Sequence, residues 1–244
     1  MWGRDWVIVL EVFDLLGESY VQDESRKHSF STVYREQIEH PFADGYIARL
    51  LDSEEDLEHI APRLSGAVAR QIDPRLRRAG LYDPAQLITL YLLAYCYYSW
   101  DIFARGYQFE VSIFRDLTES GIAYIAHDIR RRAGRLSRSD VVVMGYEGDI
   151  KTSPYFLQTT RTKALTHDFY ITRLYDRRRR KRVRVALLSE RFWREIDGDT
   201  IATTIEEATN VFPRVAQIPF ADGRLIVIGY EAWKARLLAR QEGE

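Results

Sequence analysis

Two acidic residues and a lysine lie close together in the middle of the chain. Asp140 opens the apolar run Val141–Val143, and Asp149 and Lys151 follow in GDIKTS, residues 148–153. In a strand, side chains two apart share a face, so Asp149 and Lys151 are expected to point the same way. Neighbouring carboxylates repel unless a cation intervenes, and Mg²⁺ favours one or two carboxylates with waters and a substrate phosphate. The pattern predicts a cation site beside a lysine that positions a water or counters phosphoryl charge. A structural Asp–Lys pair at a strand end shows the same short pattern.

A hairpin is expected to position these side chains, and its turn has two possible forms. A two-residue type II′ turn with Gly145 at its first central position places Asp140 opposite Lys151. Asp140 then lies one diagonal step, roughly 7–8 Å, from Asp149. A four-residue loop over 145–148 shifts the register by two. In both forms the three side chains share a face, but only the first keeps the two acids near enough to share a cation.

The remaining sequence predicts a helical first part and a mixed second part. Four helices are predicted: Trp6–Leu16, Ser53–Gln71 with Ser53 as N-cap, Asp83-Pro84 to about Phe103, and around Phe109–Leu117. A polar connection is predicted at 22–31, and helix breaks are predicted at Gly106 and Gly121. Strands are predicted over 122–129, 140–144, 149–153, 167–175, 182–189 and 224–230, and helices over 189–196, 200–212 and 231–241.

The order of these elements resembles the PD-(D/E)XK nuclease superfamily over about residues 105–153. FEVSIFRDLTESGI looks like that family's glutamate helix, and SDVVVMGYEGDIKTS looks like its aspartate and (D/E)xK strands. The resemblance implies an α/β (α+β) fold with a restriction-endonuclease-like mixed central sheet flanked by helices over 105–244. Residues 1–104 would form a mainly helical N-terminal region. Ser139 replaces the family's proline and Asp149 its more frequent glutamate, and both changes are tolerated there. After the lysine the family has a helix, which residues 154–168 predict poorly.

The resemblance also implies a function. The chain would be an endonuclease that hydrolyses phosphodiester bonds of DNA with Mg²⁺, or with Mn²⁺ in its place. The implied catalytic residues are Glu110, Asp140, Asp149 and Lys151, and the implied metal ligands are Glu110, Asp140, Asp149 and the Ile150 carbonyl. These groups should converge in one cleft, with the Asp140 and Asp149 carboxylates within about 6 Å. The alternatives are a non-catalytic nucleic-acid-binding or scaffold protein built on a nuclease-like core, and a structural partner in a larger complex.

Positive charge is concentrated in the same part of the chain. The net charge is −1, but residues 129–191 hold 17 basic and six acidic side chains. Such a segment either faces solvent or binds a polyanion. The residues expected to contact DNA are Arg135, Arg138, Arg177, Arg178, Arg179, Arg180, Lys181 and Arg182. The run 177–182 is also compatible with a solvated hairpin tip.

Other features restrict the class of protein. A single cysteine, Cys96, excludes an internal disulfide framework and a cysteine zinc cluster. Residues 85–100 are apolar, but they are shorter than a membrane span and are expected to form a buried helix. Without a recognisable targeting signal the chain is expected in the cytoplasm, and a homodimer is one expected state. His127, Gln158 and His167 are each expected to be ordinary polar residues.

Overall fold

The computed structural model describes residues 2–22, 26–153, 156, 166–197 and 226–243. The chain divides into two compact units, Met1–Gln108 and Phe109–Glu244. The division falls inside one long helix, which contributes residues to both units. The predicted helix over 200–212 and Gln158 lie outside the described residues.

The described residues of the first unit form helices and one short hairpin. In chain order the elements are α1 (Trp2–Gly17), β1 (Tyr20–Gln22), β2 (Lys27–Ser29), α2 (Phe30–Tyr34), a π-helical turn (Arg35–Glu39), α3 (His40–Asp52), α4 (Leu57–Arg78) and the first part of α5 (Leu87–Glu119). The β1–β2 hairpin replaces the polar connection predicted over 22–31. The core includes the buried side chains Phe30, Ile38, Ile47, Leu50, Ile72 and Trp100.

Two helix starts predicted from capping residues are wrong by a few positions. Helix α4 is capped by Asp56, whose side chain accepts the Glu58 N–H at 2.9 Å, and Ser53 instead accepts the Glu55 N–H at 3.0 Å. Similarly, Asp83 accepts the Ala85 N–H in a turn before α5. Serine and aspartate accept backbone N–H groups in turns as well as at helix starts, so the residue type alone does not locate the first helical turn.

The predicted helix break at Gly106 is also wrong. Helix α5 runs for 33 residues without interruption. A glycine inside a helix costs only about 1 kcal/mol relative to alanine, and buried residues on both sides, Ala104 and Phe109, anchor the helix. Glu110 therefore lies on the same helix as the apolar residues of the first unit.

Helix α5 is buried on one face only, which corrects the prediction of a buried helix. Leu92, Cys96 and Trp100 are buried, whereas several large apolar side chains are exposed: Leu87, Ile88, Leu90, Tyr91, Tyr97 and Ile102. Among the described helices, α5 alone is long and apolar enough to cross a membrane by length and composition. Core helices of soluble proteins pass the same test.

The second unit is a mixed α/β structure around a six-stranded sheet. After α5 the chain forms β3 (Ile125–Ala126), α6 (Arg132–Arg135), β4 (Val141–Val143), β5 (Tyr146–Lys151), β6 (Phe169–Asp176), β7 (Lys181–Leu188), α7 (Glu190–Asp197), β8 (Ile226–Gly229) and α8 (Tyr230–Glu242). The strand order is β3-β4-β5-β6-β7-β8, and only β5 and β6 pair in parallel. The predicted β6–β7 hairpin is confirmed, as are α8 and the Ser189 cap of α7.

The turn between β4 and β5 differs from both predicted forms. Its central residues are Met144 and Gly145, with φ of 52° and 79°. Positive φ at both positions is the type I′ geometry, whose twist matches that of the paired strands. The register pairs Val141 with Gly148 and ends there, because the Asp140 N–H also donates to the Gly148 carbonyl. The acids therefore lie closer together than the predicted pairing of Asp140 with Lys151 would place them.

The close approach of β5 and β6 requires a glycine immediately before Asp149. Gly148 pairs with Phe169, and a Cβ at Gly148 would overlap the Phe169 ring. That ring is fully buried and packs against Phe192 and Trp233, with centroid distances of 5.1 and 5.5 Å. Because the ring has no space to move into, the strand that carries the acid and the lysine depends on Gly148.

We expect Gly148→Ala to lower the free energy of unfolding by about 1–3 kcal/mol, because the added methyl group overfills a packed core. Urea denaturation of the purified protein measures this. Gly106→Ala is the matched control: a Cβ there has no neighbour within 4 Å, so that variant should be at least as stable as the wild type. If Gly148→Ala is as stable as the wild type, the Phe169 ring does not occupy the space beside Gly148.

Candidate active site

The Asp140 side chain continues the β4–β5 ladder beyond the end of β4. The Asp140 backbone N–H donates to the Gly148 carbonyl at 3.0 Å, and its Oδ2 accepts the Ile150 N–H at 2.8 Å. A carboxylate oxygen thus takes the place of the backbone carbonyl that a longer β4 would supply. These two bonds hold Asp140 beside Asp149, close enough for each carboxyl group to shift the pKa of the other. The expected limit of about 6 Å between the two carboxylates stays a prediction.

Lys151 binds the second acid. Its Nζ donates to Asp149 Oδ1 at 2.7 Å; the Asp149 side chain is 11% exposed and that of Lys151 is 43% exposed. Burial alone would raise the pKa of Asp149, but the hydrogen bond from Asp140 and the charge of Lys151 outweigh it, so the pKa is lowered. Burial opposes the charge of Lys151 too, yet Asp149 raises the pKa of the lysine. Asp149 is therefore the charged acid of the pair.

Glu110 approaches the pair from helix α5 and is only 8% exposed. Burial, followed by repulsion from Asp140, raises the pKa of Glu110 to about 8, although Lys151 partly opposes the shift. Burial and the hydrogen bond with Asp149 raise the pKa of Asp140 to about 7. The structure thus brings Glu110, Asp140, Asp149 and Lys151 within electrostatic reach of one another, with protons on two of the acids below neutral pH.

The Ile150 carbonyl also points toward Asp140. In a strand, the N–H and C=O of one residue point to the same side. The Ile150 N–H points at Asp140, so its carbonyl faces the same side, where β4 has already ended. This places a backbone oxygen beside the two carboxyl groups.

The donors suit a hard cation, but they are not arranged as a complete metal cluster. In the part of the chain that the structure describes, no three Asp, Glu, His or Cys side chains are positioned to hold a metal together. Asp149 Oδ1 contacts Lys151, and Asp140 Oδ2 contacts Ile150. Two carboxylates and a carbonyl still match the all-oxygen preference of Mg²⁺, which keeps several waters and needs no protein cage. These residues therefore fit Mg²⁺ or Mn²⁺ as a two-carboxylate site with Glu110 nearby.

The two predicted basic residues of the loop before β4 have different surroundings. Arg135 donates to the backbone carbonyls of Ile129 and Arg130 at 3.0 and 3.2 Å, so it holds the loop together. Arg138 is exposed and lies 3.8 Å from Glu147. Of the two, Arg138 is the more exposed to solvent.

The basic run at the β6–β7 turn is exposed and ordered by one acid. The buried Asp176 accepts the backbone N–H groups of Arg178 and Arg179 at 2.8 and 2.9 Å, and Arg180 takes a left-handed φ of 52°. All six basic side chains of this tip are exposed: Arg177, Arg178, Arg179, Arg180, Lys181 and Arg182. Within the described part of the chain, Arg179 pairs with Asp176, but no acidic side chain contacts Arg177, Arg178 or Arg180. The turn therefore exposes guanidinium groups, and most of them have no carboxylate beside them in the described residues.

His167 contacts the backbone beside the site, which the sequence did not indicate. Its Nε2 lies 2.6 Å from the Arg138 carbonyl oxygen, and its Nδ1 lies 3.2 Å from the Tyr170 hydroxyl. Tyr170 is the β6 partner of Asp149. His167 follows Lys151 by 16 residues, and only the parallel pairing of β5 with β6 brings the histidine back to this place.

Comparison of the chain with protein-family models, curated proteins and solved structures found no match. The geometry and electrostatics of the site therefore carry the functional assignment.

We expect Glu110→Gln to stabilise the metal-free protein at pH 8 but much less at pH 5. The folded pKa of about 8 lies above the ordinary value of 4.5, so the stability contributed by protonated Glu110 is fully present below about pH 4.5 and is lost as pH rises to about 8. Glutamine keeps the neutral shape and does not ionise. The gain at pH 8 should be a few kcal/mol, since a tenfold change in proton affinity corresponds to about 1.4 kcal/mol.

Urea denaturation in EDTA at pH 5 and pH 8 measures this difference. Glu119→Gln, at an exposed position of the same helix, should show no such pH-dependent gain. Equal stability of wild type and Glu110→Gln at pH 8 would mean that Glu110 is not held in a costly buried site.

Proposed function

We propose that this protein is a metal-dependent nuclease that hydrolyses phosphodiester bonds of DNA with Mg²⁺. One observation carries the proposal: Asp140, Asp149 and Lys151 meet on one face of paired strands, with buried Glu110 beside them. Burying three acids near one lysine is unfavourable for a purely structural purpose. A divalent cation removes that penalty and attracts the phosphate of a substrate.

We propose further that residues 105–244 form a restriction-endonuclease-like core and residues 1–104 a helical region that selects substrate or forms a dimer surface. The order of a helix bearing Glu110, a strand following Asp140 and a strand bearing Asp149 and Lys151 supports this. The mixed six-stranded sheet, in which β5 pairs in parallel with β6, is compatible with such a core.

Each site residue has a task in the proposed reaction. Asp140, Asp149, the Ile150 carbonyl and Glu110 would hold Mg²⁺, which supplies charge neutralisation for the phosphate and acidifies the attacking water. The Lys151 ammonium has three N–H donors, and Asp149 Oδ1 accepts one of them. The other two are available to a water or a phosphate oxygen. Lys151 is partly exposed, as a group that meets substrate must be.

A non-catalytic nucleic-acid-binding protein on the same core is the second candidate. The favouring observation is that Asp176 orders the arginine-rich turn through backbone contacts that are independent of the acidic site. Such a turn can bind phosphates whether or not a cation is present. Cleavage assays on variants of the site separate this candidate from the first.

Lys151→Ala should abolish Mg²⁺-dependent DNA cleavage and also lower thermal stability, because it leaves the buried Asp149 carboxylate without its ammonium partner. Asp149→Asn should abolish cleavage and weaken metal binding. Gel assays with duplex, single-stranded and junction DNA measure the activity, and calorimetry measures Mn²⁺ affinity. Lys27→Ala, at an exposed strand of the first unit, is the active control.

Full activity of either site variant would refute the assigned roles. If the wild type cleaves none of the three substrates with Mg²⁺ or Mn²⁺, the binding protein becomes the better assignment.

Replacing Arg177, Arg178, Arg179 and Arg180 together by serine should weaken DNA binding in a salt-dependent way. Each lost phosphate contact lowers the magnitude of the slope of log affinity against log salt by about 0.9 for B-DNA. If two of the four contact phosphates, the slope falls by roughly 2. The apparent KM should rise more than kcat falls, because such contacts persist in ground and transition states. Arg63→Ser is the control, and fluorescence anisotropy at several salt concentrations is the measurement. An unchanged slope would identify the turn as a solvated hairpin tip.

A further inference from the structure

His167 connects strand β6 to the loop that leads into Asp140. Its Nε2 lies 2.6 Å from the carbonyl oxygen of Arg138, two residues before Asp140. Its Nδ1 lies 3.0 Å from the Thr166 hydroxyl and 3.2 Å from the Tyr170 hydroxyl. The ring also meets the Tyr170 ring edge-on, with centroids 5.4 Å apart. The histidine therefore has contacts on both of its nitrogens.

The partners define which nitrogen carries the proton. A carbonyl oxygen only accepts, so Nε2 must donate to Arg138. In the neutral ring Nδ1 is then an acceptor, and either hydroxyl can donate to it. The Tyr170 oxygen in turn accepts the Thr166 N–H at 3.2 Å and lies 2.7 Å from the Thr166 hydroxyl. In this network the Nε2 proton bonds to the Arg138 carbonyl, and Nδ1 lies within hydrogen-bonding distance of both hydroxyls.

The two residues that His167 joins, Tyr170 and Arg138, each lie next to one of the two acids of the site. Tyr170 is 2% exposed and is the Cα partner of Asp149 in the parallel β5–β6 pair. Arg138 precedes Ser139, a buried residue whose hydroxyl lies 3.4 Å from His127 Nε2. Two residues after Arg138 the backbone reaches Asp140. A shift of the Arg138 carbonyl would therefore move Asp140 relative to Asp149.

We propose that His167 is a positioning residue for the acidic site: its Nε2–H holds the Arg138 carbonyl so that the Asp140 carboxylate stays on the Ile150 N–H, beside Asp149. The effect on cleavage rests on the proposed nuclease function, whereas the effect on the position of Asp140 does not. His167 need not touch substrate or metal for this role. Loss of an outer partner of this kind typically weakens metal affinity or activity 10–100-fold.

Two substitutions separate the roles of the two nitrogens. A glutamine places its amide nitrogen about where Nε2 lies, so His167→Gln keeps the donor to Arg138. An asparagine reaches only about as far as Nδ1, so His167→Asn loses that donor. Tyr170→Phe removes only the hydroxyl that orients the ring, without changing the packed volume. His59→Asn, on an 81% exposed side chain of α4, is the matched control.

The first measurement is amide hydrogen exchange of the metal-free protein, followed at Ile150. The Ile150 N–H is bonded by Asp140 Oδ2, so its protection reports whether that carboxylate stays in place. We expect exchange about tenfold or more faster in His167→Asn, a smaller increase in Tyr170→Phe, and wild-type exchange in His167→Gln and His59→Asn. Exchange at Ala186 in β7 should not change, which separates local loosening from global unfolding.

The second measurement is Mn²⁺ affinity and the kcat of DNA cleavage for the same variants. We expect the Mn²⁺ Kd to rise about 10–100-fold in His167→Asn and to recover in His167→Gln. Wild-type exchange at Ile150 in His167→Asn, or equal loss in both His167 variants, would overturn the positioning role. If Ile150 exchange responds as expected but the wild type neither binds Mn²⁺ nor cleaves DNA, the positioning role stands and the nuclease proposal fails.

Discussion

Asp140 Oδ2 accepts the Ile150 N–H at the point where β4 has ended and β5 continues. The bond has two consequences, because it satisfies a strand N–H that would otherwise lack its ladder partner and it brings one carboxyl group against another. The site depends on this contact more than on any other. It orients Asp140 toward Asp149, and it shows that the Ile150 carbonyl faces the same side.

The electrostatic cost of that arrangement shapes the surrounding protein. Asp149 stays charged because Lys151 and Asp140 both donate to it, while burial keeps protons on Asp140 and Glu110 up to about neutral pH. An apolar core would be more stable without these acids. A group of buried acids beside a partly exposed lysine is typical of functional sites, where charge is arranged for a ligand rather than for stability.

The sheet also determines how the site relates to the basic turn. Strand β6 carries Tyr170 beside Asp149 and continues to Asp176, which orders the arginines at its end through two backbone bonds. Strand β6 thus runs from the acidic site to the exposed arginines of the β6–β7 turn. The proposed function uses both features, the acids for a cation and the turn for phosphate contacts.

Local patterns in the sequence determined much of the second unit. The alternation of side chains along a strand predicted that Asp140, Asp149 and Lys151 share a face. Shifting the hairpin register by two residues leaves each side chain on the same face, so this prediction did not depend on the turn. The β6–β7 hairpin and helix α8 were predicted for a similar reason, since their periodicity is local. Helix starts were less accurate, because Ser53 and Asp83 cap turns as readily as helices.

The tertiary structure decided the distances. Met144 takes a left-handed conformation that its residue type does not favour, and the type I′ turn it forms sets the register that pairs Val141 with Gly148, immediately beside the two acids. Helix α5 continues through Gly106, and its second part carries Glu110. The parallel pairing of β5 and β6 brings His167 to the Arg138 carbonyl across 29 positions of sequence. Register, helix continuity and parallel pairing depend on contacts between residues far apart in the chain, so no local pattern could have specified them.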